Sequence, residues 1–169
     1  MTDGATPMTQ VRFAVEGDVP ALLDLMRGLA RFEGYADNFA VTEDVLIEQG
    51  FRRSPPDFEC LVTDGPDGKP VAMLVFYMIP FAFRAKPTLF VKELYVVEAR
   101  RGNGDGDRLM RAAAAEAVKR GCALMKWQVA GWNAEAARFY KRLGAVADTE
   151  WVDYSVSGDA LTNLGRETL

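Results

Sequence analysis

Residues 89–107 read LFVKELYVVEARRGNGDGD, and the fold turns on how the apolar run passes into the glycines. Residues 89–97, rich in Val, Leu, Phe and Tyr, predict a strand, and the alanine-rich stretch from residue 105 to 120 predicts a helix. Between them Gly102, Gly104 and Gly106 stand on alternate positions. Glycines this close keep side chains away so that a ligand can touch backbone, and N–H groups at a helix N-terminus attract anions. The ligand suggested is a phosphate. Asp105 and Asp107 oppose it, because a carboxylate at that end can cap the same N–H groups and repels phosphate. Arg100, Arg101, Arg108 and Arg111 lie close enough in sequence to offset them.

Spacing separates the common glycine loops. A Walker loop needs Lys then Ser or Thr after its last glycine, whereas Gly106 is followed by Asp107 and Arg108. A Rossmann loop needs two residues before its third glycine, and here there is one. An EF-hand beginning Asn103, Asp105, Asp107 would have Arg108 where glycine is required and Ala114 where the bidentate Glu belongs. What remains is RxxGxG, spelled Arg101-Gly102-Asn103-Gly104-Asp105-Gly106, after a strand and opening a helix.

Composition narrows the chemistry further. At 169 residues, 49% apolar and 26% charged, the chain suits one soluble domain: a polar tail over residues 1–9 and a single domain over residues 10–169. The longest apolar stretch, residues 71–83, is broken by Pro80 and is too short for a membrane span, and MTDGATPMTQ resembles no signal peptide. A cytoplasmic protein without membrane partners is expected. Cys60 and Cys122 stand apart and read as reduced core thiols. The absence of histidine removes Ser-His and Cys-His nucleophile pairs, histidine metal sites and a histidine base together. No metal is expected, and acid-base work falls to Asp, Glu, Tyr, Cys, Lys or water. A pI near 5.0 with no concentrated basic stretch beyond the loop disfavours nucleic acid. Residues 1–60 hold 5 basic and 11 acidic side chains, the remainder 15 and 13, as solvated faces or as surfaces for different partners.

Along the chain, QVRFAV (residues 10–15) alternates as a strand, and Asp18 reads as the cap of a helix carrying Leu22, Leu25, Met26 and Leu29. A second helix is expected from Thr42 to Gly50. FECLV (residues 58–62) and VAMLVFYM (residues 71–78), joined by TDGPDGK, predict a hairpin. A strand over residues 123–130, a helix over residues 133–144, and short strands near residue 146 and over residues 151–156 complete the pattern.

The loop spelling resembles the acyl-CoA pyrophosphate loop of the GCN5-related N-acetyltransferase (GNAT) superfamily. WNAEAARFYKRLGA (residues 132–145) resembles its second signature, and LARFEG, VTEDVLIEQGF and FECLV resemble segments of the diamine (spermidine/spermine and thialysine) acetyltransferase branch. This likeness covers nearly the whole chain. It implies an α/β fold with a mixed, mostly antiparallel central sheet flanked by helices, acetyl-CoA as co-substrate, a small-molecule amine as acceptor and a homodimer. It further implies that the strand before the loop splays from its neighbour, so that Leu94, Tyr95 and Val96 bind the pantetheine arm and the thioester oxygen. Arg101, Gly102, Asn103, Gly104, Asp105, Gly106 and Asp107 then form the pyrophosphate loop. Asn133 faces the cofactor, with helix N-cap as its plain alternative, and Trp132 is core or acyl-pocket wall.

Tyr140 matches the family's general acid. A phenol near pKa 10 is a weaker acid than a thiol near 8.5, so full transfer to the leaving thiolate is uphill by about 2 kcal/mol in water, and a positioned proton still helps. Glu93 matches an acidic position of the branch that serves the incoming amine, and Phe32-Glu33 matches the aromatic-acid pair of its pocket. The chain departs from the branch at Lys92, where the diamine enzymes carry a second acid, and at Gly131, which replaces another. Both changes weaken a pocket for a polycation. Asp105 stands where the family mostly has an aliphatic residue, which implies weakened cofactor binding. Acylation of a protein amine, or a CoA-binding regulatory module with little turnover, are the competing readings.

Overall fold

The computed structural model describes residues 10–80 and 84–166, so the polar tail and the end of the apolar run, residues 81–83, lie outside the described residues. The chain divides into two compact units, Met1–Gln128 and Val129–Leu169.

In the first unit five strands form one sheet in the order β1-β2-β3-β4-β5: β1 (Val11–Phe13), β2 (Glu59–Asp64), β3 (Pro70–Ile79), β4 (Thr88–Val96) and β5 (Leu124–Lys126). The first three pairings are antiparallel and β4 with β5 is parallel. This is the mixed, mostly antiparallel sheet that the sequence implied. The TDGPDGK turn closes β2 onto β3, with Gly65 N–H donating to Lys69 O at 2.8 Å and Gly68 at φ 74°.

Helices cover both faces. α1 (Val19–Glu33) buries Leu22, Leu25, Met26 and Leu29 against Cys60, Val62, Met73 and Val75. α3 (Asp105–Lys119) buries Leu109, Met110, Ala113 and Ala117, and it packs over β2, β3 and β4. α2 (Glu43–Leu46) is capped by Thr42 Oγ1, which accepts from Val45 N at 3.3 Å, and it widens into a π-helix over Ile47–Arg52.

Asp18 departs from the expected cap. It stands at the start of α1 but makes no side-chain cap hydrogen bond. Its carboxylate instead accepts from Arg12 Nη1 (2.7 Å), Arg12 Nη2 (3.0 Å) and Val15 N (2.8 Å). Arg12 also donates to both oxygens of Asp64 at 2.8 Å, so one guanidinium ties β1, the approach to α1 and β2 together. A two-toothed ion pair outcompetes the weaker N–H cap.

β4 carries a bulge that the sequence reading did not foresee. Val75 pairs with Glu93 but Phe76 pairs with Val91, which leaves Lys92 as the extra residue. Because side chains alternate, one extra residue reverses the faces of everything beyond it. Val91 therefore lies with Phe76 on the α3 side, while Glu93 and Tyr95 lie with Val75 and Met73 on the α1 side.

In the second unit α4 (Ala134–Arg142) follows Asn133, and α5 (Gly158–Arg166) was not expected. Residues 145–157 take neither helix nor strand, so the short strands expected near residue 146 and over residues 151–156 are not formed. Alternation alone makes no strand. An edge to pair with is also required. The strand expected over residues 123–130 is likewise confined to Leu124–Lys126.

Candidate active site

Gly102 and Gly104 take φ of 79° and 80°, the left-handed region that glycine enters without steric cost. Gly104 is the N-cap of α3, and no side chain caps that helix. The first-turn N–H groups have no acceptor within the helix and sit at its positive end, an arrangement that fits an anion. Two other N–H groups of the loop are spent inside it: Arg101 N donates to Glu98 O at 3.1 Å and Asn103 N to Arg100 O at 3.3 Å.

The two aspartates cap nothing. Asp105 is buried, and its carboxylate accepts from Arg108 Nη2 at 2.7 Å and Arg100 Nε at 3.2 Å. Asp107 pairs with Arg111 on the outer surface of α3 at 2.7 Å. Asp105 is thus met by two arginines and Asp107 by one, and the helix end is left to its backbone. Arg101 turns elsewhere: its Nε donates to Val96 O at 3.3 Å, and its guanidinium lies 4.9 Å from the Phe32 ring centroid and 5.9 Å from that of Tyr95.

β4 leads into this loop. Its ladder with β5 covers Thr88, Leu89 and Phe90 and ends there, while its ladder with β3 continues to Val96. Leu94, Tyr95 and Val96 are thus held from the β3 side, which fits the acyl-CoA arm expected along the other edge.

On the α1 side the structure brings Glu93, Glu33 and Tyr35 within electrostatic reach of one another. Burial pushes the Glu93 carboxyl above its ordinary value, Lys92 on the bulge opposes that rise, and Glu33 at the end of α1 adds to it. Glu93 Oε2 is enclosed and meets no hydrogen-bond donor among the described residues. The Tyr35 phenol is pushed up to about 12 by burial, then by Glu93 and Glu33. The Cys60 thiol is raised by burial and by Glu93, and a thiol held protonated is no nucleophile. The chemical capacity is that of a carboxylate costly to keep charged, which accepts a proton readily.

Sequence reasoning missed Tyr35 and Gly28. The signal for Tyr35 was its place directly after Gly34, the left-handed residue that ends α1. A Cβ on Gly28 would lie 2.7 Å from Tyr95 Oη and 2.8 Å from its ring, so glycine there makes room for the phenol against α1.

In the second unit Asn133 Oδ1 accepts from Ala136 N at 3.0 Å, the N-cap role left open for it. The Tyr140 ring packs on Phe139 with centroids 5.2 Å apart. Among the described residues no group of three or more His, Cys, Asp or Glu is arranged to hold a metal ion. None of their helices is long and apolar enough to cross a membrane.

A strand that leaves its parallel neighbour, runs through left-handed glycines and enters an uncapped helix offers free backbone donors to an anionic ligand. Residues 22–145 match the model of the Acetyltransferase (GNAT) family, and the chain belongs to that family. It is similar to the thialysine N-epsilon-acetyltransferase of Bos taurus, 30% identical over 163 residues, which covers 91% of this chain and 95% of that one. It is also similar to the L-ornithine N5-acetyltransferase of Arabidopsis thaliana, 26% identical over 206 residues, covering 96% and 90%. Among solved structures an integron cassette protein of V. cholerae superposes with a TM-score of 0.78 at 21% identity, covering 94% and 98%, and it shares the fold.

Proposed function

We propose that the chain transfers an acetyl group from acetyl-CoA to a primary amine of a small molecule, by direct attack in a ternary complex, with an amino-acid-like amine preferred to a polyamine. The observation that carries this reading is the buried, donor-less Oε2 of Glu93 beside Glu33 and Lys92. An ammonium arriving there meets an acceptor that takes its proton, directly or through water. Lys92 disfavours a second ammonium and suits a carboxylate on the same molecule. The relatives named for thialysine and L-ornithine act on amines that carry one.

Acetyl-CoA supplies a thioester carbon to the amine. The backbone of Leu94, Tyr95 and Val96 would hold its arm, and the glycine loop its pyrophosphate. N–H groups fixed toward a developing negative oxygen typically contribute about 3–4 kcal/mol. Tyr140 holds the proton for the departing sulfur, with Asn133 as a cofactor contact, roles that rest on the family resemblance. A single domain over residues 10–169, a homodimer and a cytoplasmic setting belong to the same reading. One cooperative melting transition, sedimentation velocity and cell fractionation check them in turn.

Free CoA release with thialysine, L-ornithine, L-lysine, putrescine and spermidine tests the proposal. The amino acids should exceed the polyamines at least about tenfold in kcat/KM, the scale of one charge at about 6 Å after screening. Lys92→Glu should narrow or reverse that ratio. Turnover of polyamines alone would remove the preference, and no turnover with any amine would favour the regulatory reading.

A further inference from the structure

Arg101 belongs to the glycine loop by sequence, yet its side chain belongs to α1 and β4. The guanidinium lies 4.9 Å from the centre of Phe32 on α1 and 5.9 Å from that of Tyr95 on β4, while Nε holds Val96 O at 3.3 Å. Tyr95 in turn lies on the bare backbone of Gly28, where even a Cβ would come within 2.7 Å of its hydroxyl. The stack therefore runs from α1 through Tyr95 and Arg101 into the loop. Phe32 is followed directly by Glu33, whose charge reaches Glu93 and Tyr35. The end of α1 thus meets the loop through Phe32 and carries the charge of Glu33 toward the acidic groups of the acceptor side.

We propose that Arg101 is a positioning residue that couples the glycine loop to the acceptor side, so that the ring of Phe32 on α1 contributes to the affinity of the loop for CoA. The inference rests on the reading that CoA lies on this loop and the amine near Glu93. Only a flat guanidinium lies over an aromatic ring while its Nε donates to a neighbouring carbonyl, so lysine does not substitute. A loop already held in one arrangement loses less freedom when it takes a pyrophosphate. What is held at Phe32 is therefore felt at the loop, and by linkage the ligand of each end strengthens binding at the other.

A double-mutant cycle on the full chain, with CoA as the calorimetric probe, tests this. Phe32→Leu should weaken CoA about 3- to 10-fold. Arg101→Gln should weaken it at least as much, and the double variant should match Arg101→Gln within about twofold, because in this coupling the ring reaches the loop through the guanidinium. Phe32→Tyr keeps the ring and should bind CoA as the wild type does, which a general loss of packing at α1 would not produce. Melting curves confirm that each variant is folded. Wild-type affinity in Phe32→Leu, or additive losses in the double variant, would overturn the coupling. If the wild-type chain itself takes up no CoA, the functional reading fails first and this inference with it.

Discussion

Asp105 is a carboxylate enclosed between Arg108 and Arg100 at the first turn of α3. The sequence offers it as either a cap or a weakness in the phosphate loop; it makes no cap hydrogen bond, and its charge is met by two arginines. Asp105→Val leaves two half-buried guanidinium groups without their shared acceptor, at a cost of about 2–3 kcal/mol once their partial exposure is allowed for. A melting temperature lower by about 5–10 °C is expected, read by calorimetry. Tighter CoA binding at unchanged stability would restore the electrostatic account. Glu93 behaves oppositely. Burial raises its pKa in the folded state, so its contribution to stability is complete below the unfolded value of about 4.3 and is lost as pH rises through the folded one. Glu93→Gln should therefore be more stable than wild type at neutral pH, with the gain shrinking toward pH 4. Its turnover should fall about 100- to 10,000-fold, and the rise of activity with pH should disappear. An unchanged pH profile would move the base elsewhere. The presence of offsetting arginines was legible in residues 100–111. Which one meets which acid was not, because pairing depends on the turn that Gly102 and Gly104 make.

At the scale of elements, α1, α3, the hairpin and β4 were legible because each carries its own period and its own stop signal. The bulge was not, although two adjacent charges, Lys92 and Glu93, interrupt an otherwise apolar strand. It exists only relative to β3. The strands expected beyond residue 145 failed for the related reason that a strand is a property of two segments. Asp18 shows competition between local and distant partners, since a cap is readable from sequence whereas Arg12 comes from the neighbouring strand. Arg12→Ala should cost about 1–2 kcal/mol at neutral pH, its half-open setting considered. The hydrogen bonds from Arg12 hold the Asp18 carboxyl below its ordinary value, so this stability is present above the unfolded pKa of about 3.9 and is lost as pH falls through the folded one. Melting curves of the two proteins should converge on acidification. A gap independent of pH would assign the loss to packing.

For the molecule as a whole, the loop reading predicts that acetyl-CoA binds the folded state alone. A hundredfold excess over its dissociation constant contributes about 2.7 kcal/mol, a rise of roughly 5–10 °C that saturates with concentration. No shift at millimolar acetyl-CoA would remove the loop as a donor site. The family model runs from residue 22 to 145 and so draws on both compact units. Lys92 adds one consideration about ancestry. The ladder pairs Val91 with Phe76 and Glu93 with Val75 and leaves position 92 out, so loss of that single codon would join the two pairs into a regular ladder with Glu93 and Tyr95 still on the α1 side. Descendants of this chain are therefore free to exchange the side chain at position 92, which alters the charge beside Glu93 without moving the strand.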